Sequence, residues 1–259
     1  MTTHKPFRKA LITGAAGELG GELCRKLAAM GTQIVALDID RGGLDALSEQ
    51  VGDRVSIDTH EADLCDHEGL ESLLLQIAEK HPDIDVLFAN AGIDMPQPAE
   101  QLDWRIAKRH FDINTTANYV LFSVFLPRFI KRGEGHVVAI ISLGGLVGTP
   151  YEHAYNGSKS AMHRIMDGLR VELQDKGVTF TSVYPSFLKG KMASGNAFHI
   201  EKATSMEVAG RLIIDAAVSR RTYLKFPWLD AWKISVMGLL PRSLRDRLAA
   251  GVMESGFGH

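Results

Sequence analysis

The sequence predicts an α/β fold with one doubly wound parallel-sheet domain, helices on both faces of the sheet and a helical C-terminal extension. Short apolar runs alternate with amphipathic stretches over residues 10–184, which is the pattern of consecutive strand–helix units. The fifth run, His136–Ser142, lacks the alternation of a half-exposed strand and indicates a strand buried on both faces. No repeat or low-complexity linker divides the chain, so we expect a single domain over 1–259.

Six strands are expected from the apolar runs. In order they are Ala10–Thr13, Ile34–Asp38, Val55–Asp58, Asp85–Ala89, His136–Ser142 and Val178–Tyr184. The segments between them repeat apolar residues at helical spacing, as Leu70, Leu74 and Ile77 do. The predicted helices are Leu19–Met30, Leu44–Val51, Glu68–Lys80, Trp104–Lys131 and Tyr155–Lys176. Gly177 is expected to end the last of them, because glycine is common just past a helix C-terminus.

Composition excludes several classes of protein. The net charge is -2 and the Lys and Arg residues are scattered, so we expect no nucleic-acid partner. Cys24 and Cys65 form neither a disulfide framework nor a Cys-x-x-Cys pair, and the polar N-terminus lacks the apolar core of a signal peptide. These features predict a cytoplasmic protein. The histidines lack the spacing of zinc ligands, so no metal site is expected.

A glycine-rich turn follows the first strand and precedes the first helix. Glycines allow a tight turn and a close backbone approach to a pyrophosphate, which the N–H groups of the next helix can then bind. The candidate contacts are Gly14, Gly17, Glu18, Leu19 and Gly20. This placement predicts a Rossmann-like dinucleotide site, with a ligand-free tight turn as the alternative.

Asp38 ends the second strand, eighteen residues after Gly20. A carboxylate there can accept hydrogen bonds from the adenosine ribose hydroxyls and would repel a 2′-phosphate. The expected cofactor is therefore NAD, with NADP the weaker candidate. Arg41 is the competing signal, since its side chain could hold a phosphate. The structural alternative is that Asp38 and Asp40 form only a solvated strand end.

Two further turns are expected beside the same groove. Asp63 and Leu64 follow the third strand and could face the adenine, although Asp63 could equally cap a turn. Small residues follow the fourth strand at Asn90, Ala91 and Gly92. Both turns lie at strand carboxyl ends, where ligands of doubly wound sheets bind.

Tyr155 and Lys159 are four residues apart on a predicted helix and share one face. An isolated tyrosine titrates near ~10, and a nearby ammonium favours its phenolate. The pair therefore predicts a general acid/base for a hydroxyl proton, with Ser142 placed to orient the substrate oxygen. The structural alternative is an exposed Tyr/Lys pair on a helix surface.

The glycine turn, Asn90-Ala91-Gly92, Asn114, Ser142 and Tyr155-x-x-x-Lys159 occur in an order and spacing that resembles the short-chain dehydrogenase/reductase family, over about residues 7–190. The resemblance implies that Tyr155 is the acid/base, that Ser142 stabilises the substrate oxygen, and that Lys159 lowers the tyrosine pKa and binds the nicotinamide ribose. It also implies that Asn114 keeps a proton relay. Cofactor contacts are further implied at Pro185, Phe187 and Leu188.

The sequence departs from this family's pattern at several positions. Glu18 stands where the family's common branch has its middle glycine, so that its carboxylate must point away from a pyrophosphate. Leu143 replaces the serine that often accompanies the catalytic one. The loop after the sixth strand has Ser186 and Gly190 where the family often has a glycine and a threonine.

Residues from about 190 to 259 are expected to form a substrate lid and a C-terminal extension, with Lys191–Ser205 as a mobile lid. The apolar segment Phe226–Leu240 and the basic Arg242–Arg247 suggest either a peripheral membrane or apolar-substrate element, or a lid or subunit contact. The expected assembly is a homo-oligomer, either a dimer or a tetramer.

The function that these features favour is NAD(H)-dependent interconversion of a secondary alcohol and a ketone. The apolar C-terminal third favours a bulky or hydrophobic substrate. The alternatives are a catalytically silent nucleotide-binding scaffold, an NADPH-dependent carbonyl reductase and, from the glycine spacing alone, a sugar-nucleotide epimerase.

Overall fold

The computed structural model describes residues 7–190, 203–241, 243–244 and 247. Seven parallel strands form one sheet in the order β3-β2-β1-β4-β5-β6-β7. The strands are β1 Lys9–Thr13, β2 Gln33–Asp38, β3 Ile57–Glu61, β4 Val86–Ala89, β5 Gly135–Ile140, β6 Val178–Pro185 and β7 Tyr223–Phe226. This confirms the predicted fold class, a parallel sheet flanked by helices.

Helices cover both faces of the sheet. They are α1 Glu18–Ala29, α2 Arg41–Val51, α3 His67–Lys80, α4 Trp104–Phe111, α5 Ala117–Arg132, α6 His153–Glu172, α7 Met206–Val218 and α8 Trp228–Leu239. Alternate strand residues point to opposite faces. Ala10 and Ile12 of β1 pack with α1, α2 and α7, while Leu11 packs with α3, α5 and α6. Each fully buried aliphatic or aromatic side chain in these two cores contributes roughly 1.5–3 kcal/mol.

The strand order reverses between β1 and β4. The chain leaves β1 towards β2 and β3 on one side, and continues through β4 to β7 on the other. At such a reversal the two outgoing loops diverge and leave a crevice at the carboxyl ends of the strands. Thr13 ends β1 and Ala89 ends β4, so the glycine turn and the Asn90 turn both border this crevice.

The prediction of one continuous helix over Trp104–Lys131 is wrong. A π-helical turn, Asp112–Thr116, separates α4 from α5. A π-turn inserts an extra residue into the helical ladder and is common at functional sites. Asn114 lies at the centre of this turn. Helical periodicity continues on both sides of the insertion, so the apolar pattern alone does not reveal it.

Two other boundaries differ from expectation. Strand β3 begins at Ile57, because the backbone N–H of Val55 still donates to Val51 at the end of α2. Helix α6 ends at Glu172, and Gly177 instead takes a φ of 73° in the turn before β6. A Cβ there would overlap the Gly133 carbonyl, so this close backbone approach requires glycine.

The sequence did not predict α7 and β7. Strand β7 extends the sheet beside β6, and α7 packs against α1 and the sheet. The predicted lid Lys191–Ser205 lies largely outside the described residues. In the described part of the chain, no helix is long and apolar enough to cross a membrane.

Candidate active site

A pocket of about 560 Å³ opens at the carboxyl edge of the sheet, across the β1–β4 crevice. Its walls include the cofactor and catalytic residues singled out from the sequence, with the exception of Asn114. These residues are Gly14, Gly17, Glu18, Leu19, Gly20, Asp38, Asp63, Leu64, Asn90, Ala91, Gly92, Ser142, Tyr155, Lys159, Pro185, Phe187 and Leu188. The fold therefore brings the glycine turn and the Tyr–Lys pair to a single cavity.

The glycine turn leaves room that side chains would fill. Gly14 has a φ of 66°, and a Cβ on it would lie 2.9 Å from the Cα of Ala91. A Cβ on Gly20 would overlap the carbonyl of Gly14. The turn thus exposes backbone at the N-terminus of α1, which is the arrangement that a dinucleotide pyrophosphate requires.

Thr13 and Asn90 tie the two sides of the crevice together. The Thr13 Oγ1 accepts hydrogen bonds from the backbone N–H groups of Asn90 and Ala91, at 3.1 and 3.2 Å. The Asn90 Nδ2 donates to the Thr13 carbonyl at 2.9 Å. Asn90 therefore holds the glycine turn in place, a role beyond that of a simple turn residue.

Asp38 combines both interpretations offered for it. Its Oδ2 accepts a hydrogen bond from the Ala16 N–H at 2.9 Å, and its Oδ1 accepts one from the Asp40 N–H at 3.0 Å. The carboxylate thus fixes the glycine turn while also lining the pocket. Arg41 forms an ion pair with Asp45 at 3.0 Å and is not among the pocket-lining residues.

Asp63 likewise has a local structural bond as well as a place in the pocket wall. Its Oδ1 accepts a hydrogen bond from the Cys65 N–H at 2.8 Å, as the turn-capping alternative predicted. Asp63 and its neighbour Leu64 also line the pocket beside Asp38.

Ser142 and Tyr155 meet at the other end of the pocket. The Ser142 hydroxyl hydrogen-bonds to the Tyr155 hydroxyl and also accepts the Gly144 N–H at 3.0 Å. Ser142 has a φ of 144°, a backbone region that costs a non-glycine residue about 1–3 kcal/mol. Strain of this kind persists where surrounding structure fixes a side chain for function.

Lys159 is buried behind Tyr155. Its Nζ donates to the Ile140 carbonyl at 3.0 Å and lies 5.9 Å from the centre of the Tyr155 ring. Burial lowers the pKa of Lys159 to about 8, although the Asp94 carboxylate opposes that change. The ammonium is therefore easily deprotonated near physiological pH.

The pKa of Tyr155 moves in the direction opposite to the sequence expectation. Burial of the hydroxyl raises its pKa, the carboxylates of Asp94 and Glu152 raise it further, and only the hydrogen bond from Ser142 lowers it. Lys159 does not lower it, because an amine with a pKa of about 8 is already neutral at the pH where a phenol with a raised pKa ionises. Tyr155 is a protonated phenol at neutral pH in this structure.

Asn114 lies behind the pocket wall and is fully buried. Its Oδ1 accepts the Ile93 N–H at 2.8 Å, and its Nδ2 donates to the Ile93 carbonyl and to the Ser158 Oγ, both at 3.0 Å. The Asn114 backbone carbonyl accepts a bond from Asn118 at 3.0 Å. Asn114 thus joins the turn after β4 to α6, where Tyr155 and Lys159 lie.

Sequence reasoning missed two acidic residues of the pocket. Asp94 and Glu152 line it, and both carboxylates act on Tyr155. Their positions offered a signal, since Asp94 comes two residues after Gly92 and Glu152 three before Tyr155. His110 was also missed: its ring meets Tyr155 edge-on with centroids 6.3 Å apart, and its Nε2 accepts the Met95 N–H.

Two of the described histidines, His153 and His163, have structural partners. His163 bonds to the Tyr184 hydroxyl at 2.7 Å, and His153 to the Gln97 carbonyl at 3.1 Å. Within the described ranges no group of three or more potential ligands is arranged to hold a metal ion.

Several proteins of similar sequence are described as oxidoreductases or reductases. An uncharacterized oxidoreductase of Myxococcus xanthus is 30% identical over 250 residues, which cover 94% of this chain and 96% of that protein. A 3-oxoacyl-(acyl-carrier-protein) reductase of Rickettsia conorii is 29% identical over 185 residues, covering 71% of this chain and 74% of the reductase.

Solved structures share the fold. A short-chain dehydrogenase from Sphingobium yanoikuyae in complex with NADPH has a TM-score of 0.78 at 24% identity and covers 91% of this chain and 97% of its own. Carveol dehydrogenase from Mycobacterium avium in complex with NAD also has a TM-score of 0.78, at 21% identity, and covers 87% of this chain and 98% of its own. The short-chain dehydrogenase family model matches residues 8–198. This chain therefore belongs to the short-chain dehydrogenase family.

Proposed function

We propose that this protein is an NAD(H)-dependent oxidoreductase that interconverts a secondary alcohol and a ketone. The observation that carries the proposal is that Ser142, Tyr155 and Lys159 lie in the same pocket as a glycine turn at a helix N-terminus. Known relatives with this fold bind NAD or NADPH according to their descriptions, which supports a nicotinamide cofactor.

The glycine turn fits such a cofactor, because its exposed backbone can bind the pyrophosphate and Asp38 can accept from the adenosine ribose. Lys159 would hold the nicotinamide ribose. A bound nicotinamide cofactor supplies or accepts the hydride at the substrate carbon. The protein's own contribution is to place the substrate oxygen between the hydroxyls of Ser142 and Tyr155.

Tyr155 is the group that moves the substrate proton. In ketone reduction its Oη donates a proton to the substrate oxygen, and in alcohol oxidation it accepts one. The raised pKa keeps the phenol protonated, and therefore ready to donate, at neutral pH. Lys159, whose pKa is about 8, can replace that proton from behind.

The pocket wall near Ser142 favours a bulky, hydrophobic substrate. Val147, Pro150 and Phe187 line it, and Ile234 reaches it from α8. The C-terminal segment therefore forms part of the cavity.

A panel of aliphatic, alicyclic and aromatic ketones and alcohols, followed by NADH absorbance, tests the proposal. We expect turnover with apolar ketones; NADH binding without turnover of any member would favour the silent-scaffold alternative.

Asp38 should make NADH bind more tightly than NADPH. A 2′-phosphate beside this carboxylate meets a like charge, worth about a tenfold loss of affinity, and Arg41 is paired elsewhere. We expect Asp38→Ser to reduce the difference in affinity between NADH and NADPH, and Arg41→Ala to leave that difference unchanged. Fluorescence titration with both cofactors measures this, and tighter NADPH binding by the wild type would contradict the assignment.

The outer face of α8 is the proposed subunit contact of a homo-oligomer. Trp228 and Trp232 are 72% and 61% exposed, with Leu229 and Val236 beside them, while Ala231 is buried on the inner face. A contiguous apolar face of this kind supports a protein contact, with a membrane surface as the alternative. Sedimentation as a monomer would refute the assembly, and binding to vesicles would favour the alternative.

A cytoplasmic location is also proposed, supported by the free thiols of Cys24 and Cys65.

A further inference from the structure

Glu18 puts a carboxylate at the anion-binding end of the pocket. It is the first residue of α1, directly after the N-cap Gly17, and it lines the pocket beside Gly14 and Gly20. A negative charge at a helix N-terminus is stabilised by the helix dipole. The same dipole and N–H groups would bind a pyrophosphate, so the carboxylate and the cofactor draw on the same positive potential.

The Glu18 carboxylate lies against the backbone of Gly190, in the loop after β6. A Cβ built on Gly190 would overlap the Glu18 Oε2, and would lie 3.1 Å from the Glu18 Cδ and 2.6 Å from the Met206 Cε. Gly190 itself lines the pocket and follows the bridge between Leu188 and Thr204. The absence of a side chain at 190 leaves the space that the Glu18 carboxylate occupies.

Glu18 and Met206 also lie between the large pocket and a second cavity. Both line the large pocket, and both line a second cavity of about 390 Å³ on the outer side of the glycine turn. The Glu18 side chain is exposed.

We propose that the Glu18 carboxylate lowers the affinity for the dinucleotide by repelling its pyrophosphate. Gly190 limits this repulsion, because the absence of its side chain leaves room for the carboxylate. The inference rests on the proposed dinucleotide cofactor. Repulsion between two like charges in a solvated groove is enough to change affinity about three- to tenfold. Salt reduces such an interaction over a Debye length of about 10 Å.

The first test is Glu18→Gln, which keeps the shape and removes the charge. ADP-ribose is the probe because it carries the pyrophosphate without the nicotinamide, and adenosine is the uncharged control. We expect ADP-ribose to bind the variant about three- to tenfold more tightly at low ionic strength, with the gain shrinking in high salt. Adenosine should bind both proteins equally. Equal ADP-ribose affinities, or an equal gain for adenosine, would overturn the proposal.

The second test is Gly190→Ala in the wild type and in Glu18→Gln. A methyl group at 190 displaces the Glu18 side chain towards the turn, and the far ends of Glu18 and Met206 are flexible enough to move. ADP-ribose should bind several-fold more weakly in the charged background only. An equal loss in both backgrounds would show a steric effect and refute the charge mechanism.

Failure of this inference and failure of the proposed function give different results. If wild-type protein binds neither ADP-ribose nor NADH, the dinucleotide site itself is wrong. If wild-type protein binds both and Glu18→Gln changes nothing, only the role of Glu18 is wrong. Thermal unfolding of each variant, compared with wild type, confirms that the compared proteins are equally folded.

Discussion

Tyr155→Phe should abolish turnover while leaving NADH binding intact. The substitution removes the hydroxyl that accepts the Ser142 hydrogen bond, and it keeps the ring that packs against His110. Loss of a general acid typically costs about 10²–10⁴-fold in rate. Steady-state kinetics and a fluorescence titration with NADH on the same preparation measure both quantities.

Tyr151→Phe is the matched control for that experiment. Tyr151 lies in the loop before α6 and does not line the pocket, so the loss of its hydroxyl should leave kcat unchanged. A Tyr155→Phe variant that turns over at the wild-type rate would remove Tyr155 from the chemistry. An equal loss in both variants would indicate damage to the loop rather than loss of a proton donor.

Lys159→Met should lose about 10²–10⁴-fold in turnover and also bind NADH more weakly. The ammonium lies 5.9 Å from the centre of the Tyr155 ring and is the proposed ribose contact, whereas methionine fills a similar volume without donating a proton. Lys176→Met, on the exposed turn after α6, is the control. A Lys159→Met variant with normal kcat and normal NADH affinity would contradict both roles.

The same variant makes a distinct prediction about stability and pH. The pKa of Lys159 is lowered to about 8 from an ordinary value of 10.5. Between those values the unfolded chain binds a proton that the folded protein has released. Stability contributed at this position therefore rises with pH through that window. In denaturant unfolding, the free energy of unfolding of the wild type should increase relative to that of Lys159→Met between pH 8 and 10.5. A difference in this free energy that does not change with pH would contradict a buried amine with a lowered pKa.

The sequence was sufficient for the features that depend on local spacing. The i,i+4 spacing puts Tyr155 and Lys159 on one face of α6, and the glycines at 14 and 20 mark the turn at the first strand. Both predictions required only a short stretch of chain and a fixed period. The parallel sheet followed from the alternation of apolar runs with amphipathic segments.

Features that depend on tertiary contacts could not be predicted. The π-turn at Asn114 is held by bonds to Ile93 and Ser158, which are distant in sequence. The pKa of Tyr155 depends on the burial of its hydroxyl and on the Asp94 carboxylate, and neither is visible from spacing. Strand β7 is short, with two of its four residues exposed, so its apolar pattern is weak.

The most direct test of the central claim is transfer of deuterium to a ketone identified in the substrate screen from 4,4-dideuterated NADH, in which both hydrogens at C4 carry the label. The account predicts that wild-type protein places the label on the carbinol carbon of the alcohol, one label for each NADH consumed. It predicts no labelled product from Tyr155→Phe over the same time, although that variant binds the cofactor. Alcohol formed without the label, or labelled at the wild-type rate by Tyr155→Phe, would contradict the account.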